Sequence, residues 1–163
     1  MLSFSISRGT FLRIPTVHIR RADDEAKFTI IYSHGNAEDV GLSLSYLDHL
    51  SRCCDCNVLA YEYCGYSIAD GESTETNCYE CIDAAYRYLV EGQKEFRSSG
   101  RQLAVVNPSR IVLFGRSLGT GPTVDLAARL LSNPATTSQD ANRCSLAGVI
   151  LQSPLVCRLQ SCC

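Results

Sequence analysis

The feature that most constrains this chain is a strand that runs directly into a glycine-flanked serine and then into a helix. Ile111-Val112-Leu113-Phe114 is an unbroken β-favouring apolar run, the cleanest buried-strand signal in the sequence. Gly115-Arg116-Ser117-Leu118-Gly119 follows at once. A helical stretch from about Leu118 to Leu131 comes next, with Pro122 in its first turn, where a missing N–H costs little. Gly-x-Ser-x-Gly alone is a loose pattern, but the strand before it and the helix after it make it a candidate nucleophile turn. Such a reversal strains the backbone of the serine. Side chains two before and two after it would collide, and Gly115 and Gly119 carry none. The hydroxyl of Ser117 then stands clear of the sheet at the positive end of a helix, where the N–H of Leu118 would favour an oxyanion. The competing readings are a turn without chemistry and a phosphate loop. The latter needs Gly-x-x-x-x-Gly-Lys-[Ser/Thr], and no lysine follows here.

The rest of the chain fits around that turn. Thr10 to Ile19 has extended character, and Phe28-Thr29-Ile30-Ile31-Tyr32 and Val58-Leu59-Ala60-Tyr61 read as buried strands. Leu42, Tyr46, Leu47 and Leu50 follow helical spacing, as do Tyr79, Ile82, Tyr86 and Leu89. Ala147 to Leu151 is a last strand. Strands alternating with helices imply a mainly parallel sheet covered on both faces, in one domain. Polar connections at Gly92–Pro108 and Ser132–Ser145 separate the later elements.

Composition narrows the partners. A net charge of −2 gives no footing for nucleic acid. No apolar run approaches the roughly 20 residues that span a bilayer, and the first residues lack a signal-peptide layout. A cytoplasmic protein is expected, with no cofactor and no metal. The 10 cysteines raise two further ideas. A disulfide framework belongs to short secreted chains. Cys53-x-x-Cys56 and Cys78-x-x-Cys81 have zinc-like spacing, but a strand of about six residues at roughly 3.3 Å each puts these pairs about 20 Å apart, far beyond zinc–sulfur bonds of about 2.3 Å. Free thiols, packing as small hydrophobes, are the simpler expectation.

A second N–H donor for an oxyanion should come from the loop after an earlier strand. His34-Gly35-Asn36-Ala37 lies there, directly after Tyr32-Ser33. Gly35 would let the backbone approach a reacting carbon, and the N–H of Asn36 is the natural donor. His34 is expected to shape the loop rather than act as a base. His18 and His49 read as ordinary surface or helix-face residues.

Several spaced segments together resemble the α/β-hydrolase domain-containing protein 17 group: Ser33 to Gly41, Cys56-Asn57-Val58 through Gly65-Tyr66, Ile82 to Ala85, Gly115 to Asp125, and Leu151-Gln152-Ser153-Pro154-Leu155. The resemblance covers roughly residues 8–155, leaving 156–163 as a divergent tail. It implies a three-layer α/β-hydrolase sheet, mostly parallel, here incomplete in its last strands and helices. It also implies a serine hydrolase that removes palmitate from protein cysteines, with peripheral contact at the cytosolic face of membranes. Thioester preference comes from the resemblance alone. The sequence departs from the family at Arg116, where the family has Gln, and at Ser67, where it has Gly. Two polar insertions near Gly100 and Thr137 also depart from it, as does the absence of an N-terminal cysteine cluster.

The expected chain order is Ser, then Asp or Glu, then His. No histidine follows Ser117, and the only later acids are Asp125, eight residues into the helix, and Asp140, in a polar insertion. Without a base, a serine hydroxyl is a poor nucleophile. The expectation is therefore a thioesterase-type front half, inactive by itself. The alternatives are a silent truncated fragment or binding protein, and a small-molecule esterase or serine peptidase. The strand at Val149–Leu151 would then be a bare, association-prone edge. The terminal Cys162-Cys163 reads as an accidental tail rather than a lipidation site.

Overall fold

The computed structural model describes residues 2–5, 11–21, 26–92, 105–132 and 146–155. The insertions near Gly100 and Thr137, Asp140 and the 156–163 tail lie outside them.

Four short apolar runs become the core of one sheet: β4 (Thr29–Ser33), β5 (Asn57–Tyr61), β6 (Ile111–Arg116) and β7 (Gly148–Gln152). They pair in parallel, and β3 (Thr16–Ile19) closes the other side antiparallel to β5, giving the order β3-β5-β4-β6-β7. β4 is buried along its whole length because it has a strand on each side and helices above and below. Phe28, counted above as strand, lies just outside it and is 44% exposed.

The extended stretch from Thr10 to Ile19 is two strands rather than one. Pro15 has no N–H to give a ladder, so it falls at the break between β2 (Phe11–Ile14) and β3. Its carbonyl instead accepts the Glu62 N–H at 2.9 Å. β2 turns away and pairs antiparallel with β1 (Leu2–Ser5).

Alternation along the strands divides the core in two. Ile31, Leu59, Tyr61, Ile111 and Leu113 face α2 (Glu75–Glu91) and α3 (Thr120–Ser132), while Ile30, Tyr32, Val58, Ala60 and Phe114 face α1 (Val40–Cys54). Each of the Val, Leu, Ile and Phe side chains contributes roughly 1.5–3 kcal/mol when fully buried. Asp39 caps α1 by accepting the Leu42 N–H at 2.7 Å, and Thr74 caps α2 by accepting the Asn77 N–H at 3.1 Å.

The inward stripe of α1 differs from the apolar spacing. Val40, Ser43, Leu47 and Ser51 face the sheet, while Leu42 is 78% exposed. The Ser51 hydroxyl is satisfied by donating to the Cys56 carbonyl at 2.7 Å, which lets a polar residue serve at a packed position.

The same division shows why the cysteine pairs cannot share an ion. Cys56 packs on the α1 face, and Cys78 and Cys81 pack on the α2 face, with the sheet between them. Burial pushes the Cys56 thiol up to about 11, whereas Cys53 and Cys54 are exposed. In the folded chain at pH 8, iodoacetamide is expected to label Cys53 and Cys54 well before Cys56. Peptide mapping over a time course checks this, and equal rates would contradict the packing.

Candidate functional site

The C-terminal ends of the parallel strands collect the candidate residues. Ser33 pairs with Gly115 across β4 and β6, and Arg116 pairs with Gln152 across β6 and β7. The loop after β4 and the turn after β6 therefore leave the sheet side by side, as crevices at strand C-termini do in open α/β sheets.

At the turn, Ser117 has φ 49, in the left-handed region that side chains other than glycine rarely adopt. A 3₁₀ turn over Ser117–Gly119 precedes α3, so the first turn is tighter than a plain α-helix start. The Thr120 hydroxyl donates to the Ser117 carbonyl at 2.6 Å, and the Leu155 N–H donates to that hydroxyl at 3.2 Å. The Leu118 N–H lies in this opening turn, where amides have no carbonyl a turn earlier to meet.

The two flanking glycines are required by different neighbours. A Cβ on Gly115 would come within 2.5 Å of the Gly119 carbonyl oxygen, inside the turn itself. A Cβ on Gly119 would come within 2.1 Å of the Ser33 carbonyl oxygen, so that glycine fits the turn against the end of β4 rather than against residue 115. Gly35 is a third case. A Cβ there would lie 3.6 Å from the Ser117 Cβ, an ordinary contact that would fill the space beside the serine.

His34 is buried behind this surface. Its Nε2 meets Glu62 Oε1 at 2.7 Å, its Nδ1 meets the Gly35 carbonyl at 2.9 Å, and its ring lies 4.4 Å from that of Tyr63. Both ring nitrogens thus face oxygen acceptors, an arrangement that holds the ring rather than readying it for Ser117. The Tyr63 hydroxyl donates to the His34 carbonyl at 2.8 Å, and Glu62 Oε2 accepts the Val40 N–H at 3.1 Å. Burial pushes the Tyr61 and Tyr63 phenols well up, so both remain protonated donors. The Tyr66 hydroxyl donates to the Asn36 side-chain oxygen. The loop carrying Asn36 is therefore fixed from below by Glu62 and Tyr63 and from the side by Tyr66.

A second tie crosses the top. Arg116 pairs with one oxygen of Glu38, whose other oxygen accepts the Gly35 N–H at 3.3 Å. The nearby Tyr32 hydroxyl and the Glu38 charge hold the Arg116 guanidinium still more firmly charged. The residue that departs from the family pattern thus joins the serine turn to the loop. Ser67, another position where the sequence departs from the resemblance, has φ 50, in the left-handed region that glycine adopts most readily.

The remaining candidates lie elsewhere. His18, on β3, has its Nδ1 3.3 Å from the Tyr88 hydroxyl. His49, on α1, faces the Cys53 sulfur. Asp125 accepts from Arg129 at 2.8 Å along α3. A cavity of about 300 Å³ lined by His18, Asn57 and Arg110 lies at the opposite end of the strands from Ser117. Among the described residues, no group of three or more His, Cys, Asp or Glu side chains could hold a metal ion, and no helix is long and apolar enough to cross a membrane.

Strand order, helix placement and the serine turn together define the class: the chain is an α/β-hydrolase by fold. Two solved structures carry that fold, an esterase from Rhizomucor miehei and the α/β hydrolase GrgF from Penicillium sp. sh18. Each has a TM-score of 0.61 at 18% identity over 98% of this chain, and the match covers 45% and 47% of their respective lengths. Within the class, the sequence resembles the α/β-hydrolase domain-containing protein 17 group. It is 35% identical to protein 17C of Xenopus laevis over 94% of this chain and 40% of that protein, and 36% identical to human protein 17B over 83% of this chain and 38% of that protein. The chain spans about two-fifths of the length of these relatives. No protein-family model matches it.

Sequence reasoning missed Glu62, Tyr63, Glu38 and the role of Arg116. Only one signal pointed to the first two: a carboxylate set directly after a buried strand, where an unpaired charge would be costly.

Proposed function

We propose that Ser117 is the acyl-transfer nucleophile of a serine hydrolase of the palmitoyl-protein thioesterase type. The observation that carries this reading is the strained Ser117 backbone at the head of α3, with the Gly35 backbone beside its Cβ. In the reaction, the Ser117 oxygen attacks the acyl carbon. The N–H groups of Asn36 and Leu118 stabilise the oxyanion, the thiolate leaves, and water then releases the fatty acid. The preference for a thioester and for lipidated proteins at the cytosolic face of membranes rests on similarity to the protein 17 group.

Turnover also needs a base to take the serine proton. The chain's three histidines are His18, His34 and His49, each engaged as described above. That engagement favours a second reading, in which this chain alone binds without turning over. A small-molecule esterase or peptidase is the third, supported by fold alone.

A fluorophosphonate probe, with imidazole as an external base, tests the first reading. Labelling of Ser117 is expected to be slow and to rise about tenfold or more with imidazole, and Ser117→Ala should take none. Folded protein that stays unlabelled at Ser117 in saturating imidazole would defeat the nucleophile assignment. Thioester and oxygen-ester substrates under the same rescue separate the first reading from the third.

A further inference from the structure

The α2 side of the core holds a pair of cysteines that the proposed chemistry does not use. Cys64 follows the Glu62-Tyr63 pair that supports the His34 loop, and Cys81 lies on the inner face of α2. Both are fully buried, and their sulfurs are 3.4 Å apart. We infer that Cys64 and Cys81 form a reversible redox site, closed by hydrogen peroxide to a disulfide and reopened by a dithiol.

The geometry asks for little. A disulfide needs about 2.05 Å between sulfurs, so side-chain rotation toward one another closes most of the gap. The two residues are 17 apart in sequence, and they join the segment after β5 to a helix against which it already packs. The Cys64–Cys81 hydrogen bond also divides the roles. It lowers the Cys64 thiol and raises the Cys81 thiol, so Cys64 is the more readily ionised of the two and the better placed to attack.

The steps balance. Cys64 thiolate attacks one peroxide oxygen, the O–O bond breaks, and hydroxide leaves with the proton of the medium as water. Cys81 then attacks the sulfenic sulfur of Cys64; the S–S bond forms, the S–O bond breaks, and a second water leaves. Two electrons pass from the sulfurs to one peroxide. Peroxide is small and neutral, which suits a pair covered by the 65–74 loop, where a Cβ on Gly71 would touch Cys64 at 3.5 Å.

Trypsin leaves Cys53 through Cys81 on one peptide, since no Lys or Arg lies between Arg52 and Arg87. Glutamyl endopeptidase separates them, because Glu62, Glu72, Glu75, Glu80 and Glu91 put Cys64, Cys78 and Cys81 on different peptides. After peroxide treatment of the full chain and alkylation in denaturant, the expected product is the 63–72 peptide linked to the 81–91 peptide, lost on adding dithiothreitol. A Cys53→Ser, Cys54→Ser background should keep the link, and the closed form should melt roughly 5–10 °C higher. Three results would overturn the site: recovery of Cys64 and Cys81 as free thiols while Cys53 and Cys54 oxidise, a Cys64–Cys78 link, or oxidation of Cys64 that stops at sulfinic acid. The readout is independent of labelling at Ser117.

Discussion

Gly119→Ala is expected to destabilise the chain by about 3–5 kcal/mol, enough to remove most of a typical domain's stability. The added carbon would lie 2.1 Å from the Ser33 carbonyl oxygen, 2.5 Å from the Ser33 carbonyl carbon and 2.8 Å from the His34 carbonyl oxygen. All three are backbone atoms at and just past the end of β4, where Ser33 is paired with Gly115 of β6, so no side-chain rotation relieves the contact. Gly148→Ala is the matched control. A Cβ there meets nothing within 4 Å, and its cost should stay within about 0.5 kcal/mol. Urea unfolding of the two variants beside the parent gives the comparison. Similar midpoints for Gly119→Ala and Gly148→Ala would mean that the turn does not approach β4 so closely. Gly35→Ala has ordinary contacts, so it should fold normally and slow fluorophosphonate labelling of Ser117 instead.

Glu62→Ala is expected to cost a similar amount, about 3–5 kcal/mol, for an electrostatic reason. Glu62 is 1% exposed, and its oxygens serve His34 Nε2 at 2.7 Å, the Val40 N–H at 3.1 Å and the Tyr63 N–H at 3.3 Å. Alanine would leave three buried donors without an acceptor. Glu62→Gln keeps one acceptor oxygen but turns an amide donor toward the others, so it should cost less than alanine, about 1–3 kcal/mol. Asp48→Ala, which breaks the exposed Arg52 pair at 2.9 Å, should move stability by only about 0.3–0.5 kcal/mol. Chemical denaturation at pH 7 ranks the set. A Glu62→Ala variant as stable as Asp48→Ala would show that the His34 loop is held by something else.

Much of the framework was readable because apolar runs and turn residues act locally. The strands through Ile31, Leu59, Leu113 and Ile150 announce themselves by composition, and the glycines of the serine turn by position. What stayed hidden depends on partners distant in sequence. Glu62 looks like the first residue of a polar loop until His34 and Val40 are brought to it. Glu38 and Arg116 form a pair only because β4 and β6 are neighbours. The inner face of α1 is hidden from apolar spacing because Ser43 and Ser51 are polar, and a serine such as Ser51, whose hydroxyl is satisfied locally, packs as a small residue. The cysteines illustrate the same limit. Spacing drew attention to Cys53-x-x-Cys56 and Cys78-x-x-Cys81, whereas the close contact is between Cys64 and Cys81, which no short motif joins.

The left-handed backbone of Ser117 has an implication for how such a turn would drift under selection. Gly115 and Gly119 are demanded by neighbouring backbone atoms, so folding alone would preserve them in any descendant, active or not. Position 117 obeys the opposite rule. With φ at 49, folding alone would favour glycine or asparagine there, and a serine stands against that preference. A lineage released from the chemistry should keep both glycines and lose the serine, so the middle residue of the turn is the more informative record of past use.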